Sequence, residues 1–364
     1  MEINELGHDN VYKYLGIEES DKIEHGKMKE KLSKEFMKRV KLILKSELHP
    51  KNKITALRTL AIPVLTYSFG VVDWNQRDLN KLDGNIRKML HAHKLMYKNQ
   101  CQPRMYISRN DGGMGVPEID VIYKEEIISL NEYLNGKDER LIRLVREHEH
   151  RNDTQKTIPR KAADYISYVG MEQEVENLAG DNLQTRMKLL REKYKRARSR
   201  MKMDRWREHA YAKHYKIEVY DKVFVDKEAT MEMLTKGILA ENDERLVIAA
   251  QDQALRTNWF RKNIEGDNNI SEMCRLCKAK PETVGHIIAG CETLLHRGSY
   301  TERHNSVCAL IHYRLCKKYG INLEANNHWA YTPAPIQENN EVLILYDVGI
   351  PTAIFVPNII DRIL

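Results

Sequence analysis

The chain reads as a mainly α-helical protein with a short terminal β element, and three features lead there. Apolar residues recur three and four positions apart in one stretch after another. Alternating, β-prone runs are confined to Val11–Ile17 and Glu341–Val348. A composition of 42% apolar and 30% charged residues describes a folded chain with a heavily charged surface. At 364 residues the chain exceeds one average core, so two or three domains are expected.

The first run, Val11 to Ile17, alternates and ends in glycine, which reads as a strand or hairpin arm. Met28, Leu32, Phe36, Val40, Ile43, Leu44 and Leu48 then mark one face of a helix that Pro50 ends. A second helix, capped at Asn52, turns Ile54, Leu57, Leu60 and Ala61 inward and is kinked or ended at Pro63. From Asn75 to Met96, Leu79, Leu82, Ile86 and Leu90 share a face. The glycines of Asn110–Pro117 suggest a plain turn, because no Lys-Ser/Thr follows them as a phosphate loop would require. Helices are expected through Ile119–Leu134, Leu141–Val145, Asn182–Tyr215, Lys227–Leu239, Leu246–Ile264 and Thr301–Tyr319, the last with Val307, Leu310, Ile311 and Leu315 inward.

The longest apolar stretch, Leu60–Val72, is interrupted by Pro63, Thr66, Tyr67, Ser68 and Gly70, and falls well short of the roughly 18 residues of a membrane span. The first residues lack the features of a secretory signal, so a nuclear or cytoplasmic, reducing location is expected. In that setting six cysteines are ligands or buried thiols. Four ligand types gather in one place: Cys274, Cys277, His286 and Cys291 follow the pattern Cx2C-x8-H-x4-C. Three thiolates and an imidazole close a tetrahedron with no position left for water, so one structural zinc ion is expected. Cys101, Cys308 and Cys316 stand outside this set.

The formal net charge of +7 conceals one strongly basic segment, Asn182–Lys216, with 13 Lys and Arg against three acids. Such localisation suits a phosphate-bearing partner, RNA or DNA, and such a density of cations argues against burial. Lys188, Arg191, Lys195, Arg198, Lys202 and Arg205 are the candidate contacts there, with Arg256, Arg275, Lys278 and Lys280 around the cysteine cluster. Trp206 and Trp259 could stack on bases, although tryptophan at helical spacing more commonly serves a core. The sequence contains no Asp-Asp pair, P-loop, HExxH or GxSxG, so no catalytic residues, and no small-molecule substrate, are expected.

In order along the chain, Tyr12-Lys-Tyr-Leu-Gly-Ile17, Lys51-Asn-Lys-Ile-Thr-Ala56, Leu60–Phe69, Leu82–Lys88, Gly112–Gly115, Ala250–Trp259, the Cys3His pattern and Arg303-His304 form a recognisable set. It resembles the carboxy-terminal half of the polyprotein of non-long-terminal-repeat retrotransposons that carry a restriction-like endonuclease. The resemblance implies a post-palm strand over 1–25, a reverse-transcriptase thumb-like helical domain over 26–150 and a basic helical linker over 151–240. It implies a helix, the zinc knuckle and a following helix over 241–320, and an endonuclease entry, Leu343-Ile-Leu-Tyr-Asp347, within 321–364. The palm carboxylates and the endonuclease Arg-Pro-Asp of that family have no counterpart in these residues. The expectation is therefore a non-catalytic nucleic-acid-binding protein, the alternative being an inert or protein-interaction fragment of a mobile element.

Overall fold

The computed structural model describes residues 12–14, 16–19, 23–97, 99–151, 156–178, 182–208 and 225–349. Residues 152–155, 179–181 and 209–224 of the expected basic linker, and 350–364 of the expected endonuclease-entry segment, lie outside the described residues. The chain divides after Leu255 into two compact units, so the expected segment 241–320 straddles that division.

The first unit opens with a hairpin, β1 (Tyr12–Tyr14) against β2 (Ile17–Glu19), in register Tyr12↔Glu19. Helix α1 (His25–Lys45) buries Met28, Phe36, Val40, Ile43 and Leu44, as their spacing requires. Leu48 lies beyond the helix and is exposed. Helix α2 (Pro50–Ala56) begins earlier than expected, with His49 as its cap in place of Asn52. It passes into a π-turn over Leu57–Ala61, before Pro63 opens the short helix α3 (Pro63–Thr66). The turn closes with Ile62 N donating to Leu57 O at 3.0 Å, one residue wider than an α-turn. That extra residue explains a failed expectation: Leu57, Ala61, Ile62 and Leu65 face inward while Leu60 is turned out to solvent.

Helix α4 (Gln76–Ala92) starts at a capping box, in which Asn75 accepts from Asp78 N and Asp78 accepts from Asn75 N. The short helix α5 (Gln102–Tyr106) leads into the glycine turn. Gly112 and Gly115 have φ of 77° and 75°, and a Cβ on Gly113 would stand 2.1 Å from Ile107 O, so each glycine there meets a steric need of the turn.

Helix α6 (Ile119–Gly136) has no side-chain cap of its own. Asp83 on α4 supplies it from 36 residues away, accepting from Ile119 N at 2.8 Å and Asp120 N at 3.2 Å. Burial pushes the Asp83 carboxyl up to about 7, against those two N–H bonds that pull it down, with Glu118 and Asp120 adding to the rise. Because the folded value lies above the unfolded one, the fold favours protonated Asp83, and stability should decline as pH rises from about 4 to 7. Asp83→Asn should flatten that decline while keeping an acceptor. Asp83→Ala should cost about 1–3 kcal/mol, both read by urea denaturation across the pH range.

Helices α7 (Arg140–Arg151), α8 (Ile158–Tyr168) and α9 (Glu172–Glu176) follow. Then comes α10 (Leu183–Glu208), the expected basic helix, and its surroundings correct the expectation of an unburied rod. It lies along α6 and buries Leu190, Tyr194, Arg198 and Trp206. Burial is possible because α6 and its entry are acidic: Arg186 pairs with Glu132 at 2.7 Å, Arg191 with Glu126 at 2.8 Å, and Arg198 with Asp120 at 3.4 Å. Lys202 pairs with Glu118. Trp206 belongs to the core with Cys101 and Ile107, so it cannot stack on a base. Helices α11 (Lys227–Glu232) and α12 (Glu241–Gln251) complete the unit.

The second unit contains α13 (Asn258–Asn263), the cysteine-bearing turns, α14 (Glu292–His296) and α15 (Ser299–Lys318). A terminal antiparallel pair follows, β3 (Ile336–Glu338) with β4 (Leu343–Leu345), register Ile336↔Leu345. The inward face of α15 differs from the expected one. Val307, Ile311 and Leu315 are exposed, while His312 and Cys316 are buried. The reason is a polar network on that side: Gln337 Oε1 accepts from Cys316 Sγ at 2.9 Å and from Tyr331 Oη at 3.1 Å, and Tyr331 Oη bonds His312 Nδ1 at 2.7 Å. Among the described residues, no helix is long and apolar enough to cross a membrane.

Candidate metal centre and cationic surface

Two turns carry the four ligands. The first is closed by Cys274 N donating to Lys280 O at 2.8 Å and Lys278 N donating to Cys274 O at 2.9 Å, with Met273 bridged to Pro281. Lys278 takes φ of 57°, which lets the chain reverse directly after Cys277. The second is a π-turn over His286–Gly290, entered where Thr283 Oγ1 accepts from His286 N at 3.0 Å and left at Cys291. Thus the Cx2C pair comes from a hairpin and the Hx4C pair from a single wide turn.

All four ligand atoms lie within 4.8 Å of one another. Cys274 Sγ is 4.0 Å from Cys291 Sγ, and Cys277 Sγ is 3.3 Å from His286 Nε2. A tetrahedral zinc ion would set such edges at about 3.8 Å between sulfurs and about 3.6 Å between sulfur and nitrogen. The cluster therefore fits one metal ion at its centre. Among the described residues, it is the one group of three or more His, Cys, Asp or Glu so disposed.

The surroundings favour thiolate at Cys277. Backbone N–H groups of Ala279 and Lys280, with help from His286 and Cys274, outweigh burial and bring the Cys277 thiol down to about 6. Burial raises that of Cys274. Cys277 is thus the thiol most readily ionised near neutral pH, and loading must displace the proton that burial holds on Cys274.

Three residues outside the ligand set hold the frame. Glu282, 1% exposed, accepts from Arg275 N at 2.8 Å and from the Arg275 guanidinium, and also takes Asn258 N at 3.1 Å. Burial alone would raise its carboxyl, yet these bonds hold it below the usual range. Tyr300 Oη accepts from Cys291 N at 3.0 Å and donates to Ile287 O at 2.8 Å, and Arg303 Nη1 donates to Ile288 O at 2.9 Å. Carbonyls left open by the π-turn are thereby satisfied. Of these three, Arg303 belongs to the Arg303-His304 motif named from the sequence, and Tyr300 directly precedes the helix expected from Thr301.

The structure separates the candidate cations into two groups. Arg191, Arg198 and Lys202 are committed to α6 and its entry, Arg256 pairs with Glu265 at 2.9 Å, and Arg275 clasps Glu282. Lys188, Lys195 and Arg205 on α10 are exposed and carry no ion pair among the described residues, as do Lys278 and Lys280 in the other unit. Arg200, not singled out from the sequence, joins them. Lys195 and Lys202 also line a cleft of about 420 Å³ with Lys51, Arg58, Glu118 and Glu125. Burial pushes the Glu125 carboxyl up to about 7 despite nearby Lys195 and Arg191.

Compared with models of protein families, the chain matches none, and a search of curated proteins likewise gives no match.

Proposed function

We propose that this is a non-catalytic nucleic-acid-binding protein, related to the thumb, basic linker and zinc knuckle of a non-long-terminal-repeat retrotransposon polyprotein. On this reading the ion at Cys274, Cys277, His286 and Cys291 is zinc and structural, since all four positions of a tetrahedron are taken by protein.

The observation that carries the binding reading is the set Lys188, Lys195, Arg200 and Arg205. After the acidic face of α6 has taken its partners, these four cations of one helix remain exposed and without an ion pair among the described residues. Phosphate is the complement they lack, and contacts of this kind position a strand without reading its sequence. Four phosphates neutralised by α10 should contribute about −3 to −4 to the slope of log affinity against log salt. Replacing all four by glutamine should remove that part of the slope for RNA and DNA alike. Fluorescence anisotropy at several salt concentrations measures it. An unchanged slope and affinity in the quadruple variant would instead favour an inert or protein-interaction role.

A further inference from the structure

The second unit holds a large aromatic side chain far out in solvent on a tethered loop. Trp329 is 74% exposed, within a 3-10 turn, His328–Ala330, at the end of the connection from α15 to β3. The turn is pinned at both sides. Tyr313 Oη donates to Asn326 O at 2.7 Å, and Tyr331 is fixed by His312 and Gln337 in the buried network beneath.

The rings form a continuous ladder from core to surface. Tyr331 stacks on His312 at 5.7 Å, and Tyr313 meets Tyr331 at 5.3 Å. His328 tilts on Tyr313 at 6.3 Å and meets Trp329 edge-on at 5.1 Å. Lys317 Nζ lies 5.8 Å from the Tyr313 ring centre. Across 312–335 the chain carries Arg314, Lys317 and Lys318, all exposed, against Glu324 alone.

We propose that this aromatic ladder, ending in Trp329 with Lys317 beside its Tyr313 ring, is a stacking platform for unpaired bases of single-stranded nucleic acid. A ring held in place by its neighbours loses little freedom when a base settles on it. Stacking needs a flat face and cations for the adjoining phosphates, and it tolerates any base. An apolar protein partner would use the ring but make no use of the exposed Lys317 beside the ladder. The proposal rests on the nucleic-acid reading above, yet it concerns other residues in the other unit.

The experiment uses the full chain with a short oligothymidylate and, as a control, an abasic strand of the same length. Trp329→Ala should weaken oligothymidylate binding about 5- to 100-fold and leave the abasic strand unaffected. Trp329→Phe should restore most of the loss, and the tryptophan quenching that accompanies binding should be smaller in Trp329→Phe than in the wild type. Equal affinity of wild type and Trp329→Ala for oligothymidylate would overturn the platform. So would loss of self-association as the sole effect of Trp329→Ala, which would mark a protein contact. If the wild type binds neither strand at low salt, the broader reading fails as well; if it binds both and Trp329→Ala changes nothing, the platform alone fails.

Discussion

Stripping the metal from the full chain should unfold the cysteine-bearing part of the second unit while the first unit stays folded. The two units differ in what else holds them. The first has an apolar core that runs from Ile17 to Ile248 and includes Phe36, Leu57, Leu65, Trp74, Leu90 and Tyr123. The second has a small buried cluster of Cys316, Ile321 and Ile344. The zinc site proposed above would contribute about 10–16 kcal/mol at neutral pH, more than so small a cluster supplies. Hydrogen exchange should therefore show residues 270–300 losing protection on chelation, with α1, α4 and α6 unchanged. Cys291→Ala should do the same without chelator, and Cys308→Ser, outside the cluster, should retain one ion per chain. Loading should fall on acidification, because protons compete for the thiolates. Loss of protection throughout the chain would show that the first unit depends on the ion too.

The second large effect is expected at Arg104, which is fully buried with its partner Asp252. Its guanidinium donates to Asp252 Oδ1 at 2.9 Å, to Gly112 O at 2.9 Å and to Ile248 O at 3.2 Å, and lies 4.9 Å over the Trp206 ring. Asp252 in turn accepts from Cys101 N at 3.2 Å. One side chain thus ties together the glycine turn, α12 and the end of α10. Removing one member of a buried ion pair leaves the other charged and uncompensated, which costs about 3–5 kcal/mol. Asp252→Ala and Arg104→Ala should each lower stability by that amount in denaturant titration. The double variant should lose much less than the sum of the two. Additive losses would show that the pair is not coupled.

The helical character of this chain was legible wherever the signal is local. The apolar spacing of α1, the Asn75 start of α4 and the glycine turn before α6 all follow from residues a few positions apart. The metal cluster was legible for the same reason, since ligand type and spacing define it. What escaped reading depends on distant partners. Nothing near Arg191 or Arg198 announces that Glu126 and Asp120, 65 and 78 residues earlier, will face them, so the basic helix looked wholly solvated. Leu60 was misplaced because a π-turn shifts the helical register by a residue without any unusual side chain to mark it. The inward face of α15 was misjudged because His312 and Cys316 earn burial through Tyr331 and Gln337, not through hydrophobicity.

The two ligand-bearing turns differ in how they would tolerate changes of chain length. Between Cys277 and His286 the backbone runs through an exposed hairpin end and a loop, where an added residue can bulge outward and leave both donors in place. From His286 to Cys291 the spacing is the length of the five-residue π-turn itself. An insertion or deletion there would swing the Cys291 sulfur around the helix axis by about 100° per residue and away from the ion. Length variants of this protein should therefore keep the x4 spacing fixed while the x8 spacing drifts.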